Sequence, residues 1–365
     1  MNDLLAQYKQ IKPEIDAALA AVVENCSFIL GPQVKAFEEA FADYNDVRHC
    51  IGVSNGTDAL KLVLRAADIG EGDEVITPSF TFGATIEAIC EVGARPVFAD
   101  IDEAYFTLDV DLVEKRITDK TRAIIPVHIY GQAAAMEPLL KLATERNLVV
   151  IEDAAQAQGA RYKEYLAGSM GYAGCFSFYP GKNLGAYGDA GGIITDDDAL
   201  AERLRLLRNH GQDSQRKFYY QEIGYNHRMD GFQGAVLQVK LPHLDRWNQR
   251  RRQVAARYNE GLKDIDALIL PAEAEHAYHV YHLYVVRVPD REKLADELKR
   301  EGISSAVQYP YALHLTEAYA HLGYRAGDLP VSEQACGEII SLPLFPDILD
   351  EQVDYVVEKV RQHYT

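Results

Sequence analysis

The chain is short of thiols, of basic charge and of long apolar runs, and each shortage removes a class of function. Its 365 residues contain five cysteines, Cys26, Cys50, Cys90, Cys175 and Cys336, with no Cys-x-x-Cys pair among them. An odd, scattered set argues against a disulfide framework and reads as the reduced thiols of a cytoplasmic protein. Lysine and arginine number 37 against 55 acidic residues, a net charge of −18. That balance excludes a nucleic-acid partner, which needs a basic face to neutralise phosphates. It leaves room for a local basic pocket holding a nucleotide-bearing substrate. The longest basic run, residues 246–257, is interleaved with Trp247 and Val254 at helical spacing, so it reads as a solvated helix face. No uninterrupted apolar run approaches the roughly 18 residues needed to cross a bilayer, which excludes a membrane partner. The polar stretch 1–12 lacks the apolar core of a signal peptide. No spacing suits a metal ion: pairs such as His279 and His282 lack supporting thiols or carboxylates.

What is present is the composition of a soluble globular protein, 48% hydrophobic and 25% charged, long enough for one large domain and one smaller one. Between residues 48 and 195 short apolar runs (49–53, 74–77, 96–99, 123–127, 148–151, 174–178 and 192–195) alternate with amphipathic stretches. In 57–68, for example, Leu60, Val63, Leu64 and Ala67 keep the i, i+3, i+4 spacing of a helix. A second helix is expected over 136–146. Alternating strand and helix implies an α/β fold with a mostly parallel sheet and helices on both faces. Ligands then gather at the carboxyl ends of the strands, where Ser54, Asp153 and Ser177 fall. A long helix beginning near Leu241 leads to a second region with a strand at 281–288 and helices at 291–301 and 350–363. The expected division is 1–245 for the large domain and 246–365 for the small one.

The chemistry centres on Lys182, in the glycine-rich loop between two apolar runs. A lysine amine is protonated at neutral pH unless its site prevents it. The pairing of this loop lysine with Asp153, in Glu152-Asp-Ala-Ala-Gln156, points to pyridoxal phosphate (PLP), an aldehyde held by a lysine and faced by a carboxylate at its pyridine nitrogen. The third requirement is a phosphate cup. Ser54-Asn-Gly-Thr-Asp58 follows a strand and opens a helix, so the N–H groups of Gly56 and Thr57 would face an anion. The same residues would also serve as an ordinary capped helix start. Gln156 is expected on one helical face with Asp153, within reach of the ring hydroxyl. Phe82 follows a strand and could stack on the ring or fill the core. Ser177, five residues before Lys182, could bond the phosphate or the backbone. His279, His282 and His314 read more readily as structural histidines than as catalytic ones.

With these residues in hand, the chain resembles the DegT/StrS family of PLP-dependent nucleotide-sugar aminotransferases over essentially its whole length. The resemblance rests on Ser54-Asn-Gly-Thr-Asp-Ala-Leu60, Pro78-Ser-Phe-Thr-Phe82, Pro126-Val-His-Ile-Tyr-Gly131, Glu152-Asp-Ala-Ala-Gln156, Ser177-Phe-Tyr-Pro-Gly-Lys182, Gly224-Tyr-Asn-His-Arg-Met-Asp230 and Leu342-Pro-Leu-Phe-Pro346. It implies the fold-type-I, aspartate aminotransferase-like architecture, with a smaller α+β C-terminal domain, and a homodimer with shared active sites. By the same resemblance, Lys182 carries the cofactor, Asp153 pairs its ring nitrogen and Gln156 faces its hydroxyl. Phe82 stacks, Gly56, Thr57 and Ser177 hold the phosphate, and Asn226 completes that site from the neighbouring subunit. His227 departs from the tyrosine or serine often found there. The loop 179–189 is most similar to that of enzymes acting on 3-keto sugars, and Lys182 stands where dehydratase members carry histidine. The implied reaction moves an amino group, from L-glutamate, to C3 of a thymidine-linked 3-keto-6-deoxyhexose; 4-keto sugars and a catalytically silent regulator are the alternatives. Tyr179, Tyr187, Lys217, Arg228, Tyr311 and His314 are the candidate substrate contacts.

Overall fold

The computed structural model describes residues 3–364; Met1, Asn2 and Thr365, which the expected domain limits include, lie outside the described residues. Seven strands form the main sheet: β1 (His49–Val53), β2 (Glu74–Pro78), β3 (Arg95–Ala99), β4 (Thr121–Ile124), β5 (Val149–Asp153), β6 (Ala173–Ser177) and β7 (Gly191–Thr195). Their order across the sheet is β1-β7-β6-β5-β4-β2-β3. Successive residues point to opposite faces, and both faces are apolar. Ile76, Ile124, Val150, Phe176 and Ile194 pack into one core, while their neighbours Val75, Ile125, Ile151, Cys175 and Ile193 pack into the other. This two-sided burial is why the strands read as continuous apolar runs.

β7 alone runs against the rest, antiparallel to both β1 and β6. The chain between Ser177 and Gly191 contains no helix and turns back directly to lay β7 against β6. Ser177 and Gly191 are paired across the ladder, so the loop bearing Lys182 is pinned at both ends. The other strands of the sheet run parallel, β6 included although the chain from β5 to β6 contains no helix, and the carboxyl ends of β1, β2, β5 and β6 share one edge.

The helix Leu244–Leu262 carries Leu244 into the first core and Val254, Tyr258 and Leu262 into a third one. That third core is closed by the antiparallel pair β8 (Tyr284–Arg287) and β9 (Ile339–Leu342) and by the helices Arg291–Arg300 and Asp350–Tyr364. We propose that the domain division lies within this helix, because its two ends serve different cores. One expectation for the helix fails. Arg250, Arg252 and Arg257 pair with Asp350, Glu273 and Asp354 on its outer side, but Arg251 is buried. Its guanidinium donates to the carbonyls of Tyr281, His282 and Leu344. Among the described residues no helix is long and apolar enough to cross a membrane.

Candidate active site

Two residues, Ser54 and Asn55, separate the end of β1 from the helix Gly56–Ala66. Asn55 caps it, its side chain accepting from the Asp58 N–H at 2.8 Å, while the Asn55 amide in turn donates to the Asp58 carboxylate. As first residues of a helix, Gly56 and Thr57 have no preceding turn to accept their N–H groups, and both line one cavity of about 840 Å³. A Cβ added at Gly56 would come within 2.8 Å of the Ser177 Cβ. Glycine is therefore what lets the helix start approach the end of β6 closely enough to form a cup. That cradle fits an anion facing a helix N-terminus.

Asp153 is the last residue of β5, one step earlier than a position beyond the strand, and its carboxylate has two partners. Thr85 donates its hydroxyl to Oδ2 at 2.8 Å and the Ala155 N–H reaches Oδ1 at 3.2 Å. Burial pushes its pKa above the ordinary carboxylate value, opposed by those two hydrogen bonds and by the charge of Lys182. A carboxylate held dry with so few donors is short of positive charge, and a protonated pyridine nitrogen would supply it. Lys182 lines the same cavity. Burial lowers its pKa to about 8, against the attraction of Asp153, so a useful share of the amine is neutral near pH 7. Anion cup, isolated carboxylate and softened lysine in one cavity fit pyridoxal phosphate.

Behind Asp153 a second acid holds the strand end. Glu152 is fully buried. It accepts from the N–H groups of Gly168, Met170 and Gly171 at 2.6–2.8 Å and pairs with His128 Nε2 at 2.8 Å. The Ala134 N–H donates to His128 Nδ1, so Nε2 is the ring donor toward Glu152.

Gln156 reaches the cavity by a route the expected helical face does not describe. No helix follows β5; the chain turns at Ala154–Ala157 and Ala157–Ala160 instead. The Gln156 side chain accepts from the Tyr130 N–H at 2.8 Å and donates to the Tyr309 hydroxyl at 3.2 Å. Phe82 is 57% exposed and therefore not a core residue; it stands 5.7 Å from the Tyr309 ring in the cavity wall. Ser177 and Tyr179 line the cavity too, and the Tyr179 N–H reaches the Ser177 hydroxyl.

The remaining expected contacts do not line this cavity in the single chain. His314 is buried, with one ring nitrogen on Ser79 and the other on Glu333, each at 3.1 Å. Both are occupied, so it cannot serve a sugar pocket. Tyr187 turns away toward Tyr8 and lies under the Lys240 ammonium. Tyr311 is exposed. Asn226 and Lys217 are exposed on the segment that leads back past β1, and Arg228 donates to Asn209.

Four further residues of the wall, His282, Gln308, Tyr309 and Lys61, were not foreseen as site residues. Lys61 was legible, since it stands one helical turn after Thr57. It pairs with Glu91 at 2.7 Å beneath the cup. The other three come from segments more than a hundred residues from the cup, and no local pattern marks them.

A profile of the DegT/DnrJ/EryC1/StrS aminotransferase family matches residues 9–361. The chain is 50% identical over 366 residues to a protein of Geobacillus stearothermophilus named pleiotropic regulatory protein, covering 100% of this chain and 98% of that one. It is 44% identical over 360 residues to the dTDP-3-amino-3,4,6-trideoxy-alpha-D-glucose transaminase of Streptomyces venezuelae, covering 99% of this chain and 94% of that one. Among solved structures, DesV of S. venezuelae in complex with a ketimine intermediate superposes with a TM-score of 0.97 at 44% identity, covering 100% of this chain and 97% of that one. With most of the candidate cofactor residues gathered in one cavity and the match running almost end to end, the chain belongs to the DegT/DnrJ/EryC1/StrS aminotransferase family, whose members depend on pyridoxal phosphate.

Proposed function

We propose that the protein transfers an amino group from an amino acid, L-glutamate, to C3 of a thymidine-linked 3-keto-6-deoxyhexose, working in the cytoplasm as a homodimer. The observation that carries this reading is the convergence of Lys182, Asp153 and the Gly56–Thr57 cup on one cavity, a size suited to a cofactor and part of a substrate. Bound pyridoxal phosphate supplies a carbon that carries the amino group between donor and acceptor and a ring that takes up electrons. The protein's own residues do the rest. The helix start would hold the phosphate, Asp153 would keep the ring nitrogen protonated, and Gln156 and Phe82 would position the ring. Lys182, once its amine is free, takes a proton from the donor's α-carbon and returns it at the carbon that receives the amino group.

Preference for C3 draws on the relatives. The S. venezuelae and Aneurinibacillus thermoaerophilus proteins are named as transaminases of dTDP-3-amino sugars. A third, from Acidithiobacillus ferrooxidans, is named as a 3-aminotransferase of a UDP sugar. Support for a dimer comes from the exposed apolar side chains of Phe218, Tyr219, Tyr220 and Ile223, which border the exposed Asn226. A second copy would cover them and bring Asn226 and Lys217 toward this cup.

The test supplies 3-keto and 4-keto nucleotide sugars with glutamate and locates the new amine by NMR, with sedimentation to measure assembly. A product aminated only at C4 removes the C3 assignment and leaves the aminotransferase reading standing. The name of the G. stearothermophilus relative favours one other reading, a regulator that keeps the cofactor without turnover. Incubation with glutamate alone separates the two: an enzyme changes the visible absorbance of its cofactor and releases 2-oxoglutarate, and a silent regulator does neither.

A further inference from the structure

The Gln156 amide can face only one way, and that decides what the Tyr309 hydroxyl is able to do. Gln156 Oε1 accepts from the Tyr130 N–H at 2.8 Å. A backbone N–H can only donate, so the amide nitrogen is the end turned to Tyr309, 3.2 Å from its hydroxyl. An amide nitrogen also can only donate, which makes the Tyr309 oxygen the acceptor. The proton of that hydroxyl has no acceptor among the described residues. Burial and the charge of Asp153 push the Tyr309 pKa up, against the Gln156 hydrogen bond. The hydroxyl therefore keeps its proton and presents it to the cavity that Tyr309 lines.

The chain that carries this tyrosine is held from two sides. Tyr130 donates its hydroxyl to the Gln308 carbonyl, and Ser341 donates to Gln308 Oε1 at 2.7 Å. The Tyr309 ring stands 5.7 Å from that of Phe82. These neighbours place it relative to the phosphate cup. Across the sheet the order runs β1-β7-β6-β5-β4-β2. Gly56 and Thr57 follow β1 and Ser177 ends β6, Asp153 ends β5, and Tyr130 and Phe82 follow β4 and β2. Tyr309, bonded to Gln156 and set beside Phe82, stands on the side of Asp153 away from the cup.

Pyridoxal phosphate carries its phosphate arm and its ring hydroxyl on opposite edges, with the aldehyde between them and the ring nitrogen across from the aldehyde. With the arm in the cup and the nitrogen at Asp153, the hydroxyl edge turns toward Tyr309. We propose that Tyr309 donates its free proton to the oxygen of the cofactor's ring hydroxyl, and that Gln156 serves to aim it there. An ionised ring oxygen is the stronger acceptor, so the bond favours that form of the cofactor. Gln156 then acts partly through Tyr309, a residue 153 positions further along the chain. The inference rests on the cofactor occupying this cavity and not on which sugar carbon is aminated.

The test measures the affinity of the full-length protein for pyridoxamine phosphate and for its analogue without the ring hydroxyl, neither of which bonds covalently to Lys182. Tyr309→Phe removes one oxygen and keeps the ring beside Phe82, so the fold is retained, and circular dichroism checks this. In that variant pyridoxamine phosphate is expected to bind about tenfold more weakly, as loss of a hydrogen bond to a charged group gives. Affinity for the analogue is expected to stay within about twofold, since it has no oxygen to lose contact with. Equal weakening of both compounds, which a loosened cavity wall would give, overturns the proposal. Unchanged binding of pyridoxamine phosphate overturns it as well. Neither measurement involves a sugar or turnover, so failure of the C3 reading leaves the result standing.

Discussion

Replacing Asp153 by asparagine removes a charge and almost no volume, which separates electronics from shape. The neighbours tolerate the exchange. The asparagine oxygen can keep the Ala155 N–H, and Thr85, which also lies 3.1 Å from the Thr81 hydroxyl, can turn its own hydroxyl to accept from the amide. What disappears is the anion facing the ring nitrogen. At an effective dielectric of about 20, two unit charges some 3 Å apart attract by about 5–6 kcal/mol. Removing one partner of a buried pair typically removes about 3–5 kcal/mol. Burial already raises the Asp153 pKa, so part of the attraction is spent in ionising the acid and the lower end of that range applies. About 3 kcal/mol corresponds to roughly two pKa units at the ring nitrogen and on the order of 100-fold in the proton-transfer step. The assay is the glutamate half-reaction followed by stopped-flow absorbance, alongside ¹⁵N NMR of ring-labelled cofactor to read its protonation. Unchanged rates with a ring nitrogen still protonated at neutral pH would refute the electronic role and leave Asp153 as a structural strand end.

Gly56→Ala forces a Cβ to within 2.8 Å of the Ser177 Cβ; cofactor affinity, measured by equilibrium dialysis, should fall at least about tenfold, and the added change Ser177→Gly should recover part of it. Capture of added pyridoxal phosphate by the cofactor-free protein should speed up about tenfold between pH 6 and 7 and level off above pH 8, because Lys182 titrates near 8 and only its neutral form reacts. A rise continuing to pH 10 would show an ordinary lysine. Glu152→Gln places an amide NH₂ among N–H donors that the carboxylate now accepts; urea unfolding should show a loss of about 3 kcal/mol, and a loss under 1 kcal/mol would mean the loop at 168–171 relaxes around the change.

Much of the site was legible because its parts are local. The cup is a strand end followed by a capped helix start, Asp153 closes an apolar run, and Lys182 sits in a glycine-rich loop; in each case geometry is set within a few residues. Gln156 shows the limit of that reasoning. Three-residue spacing suggests a shared helical face only if a helix is there, and turns closed by Ala157 and Ala160 take its place. His314 shows another: nothing adjacent to it announces that Ser79 and Glu333 occupy both its nitrogens. Arg251 read as one more charge on a solvated helix face, and three distant carbonyls proved to be waiting for it.

The sequence by itself determined the α/β alternation and the strand ends that present the candidate cofactor residues, because hydrophobic periodicity and helix capping act over short stretches of chain. Only the tertiary structure decided the reversed direction of β7, the Glu152–His128 lock behind Asp153, and the arrival of Tyr309 and His282 in the wall of the cavity that Lys182 lines. Those contacts join residues that are far apart in the chain, and their partners are chosen by the packing of whole elements. A buried polar group must find whichever donor or acceptor that packing brings within reach.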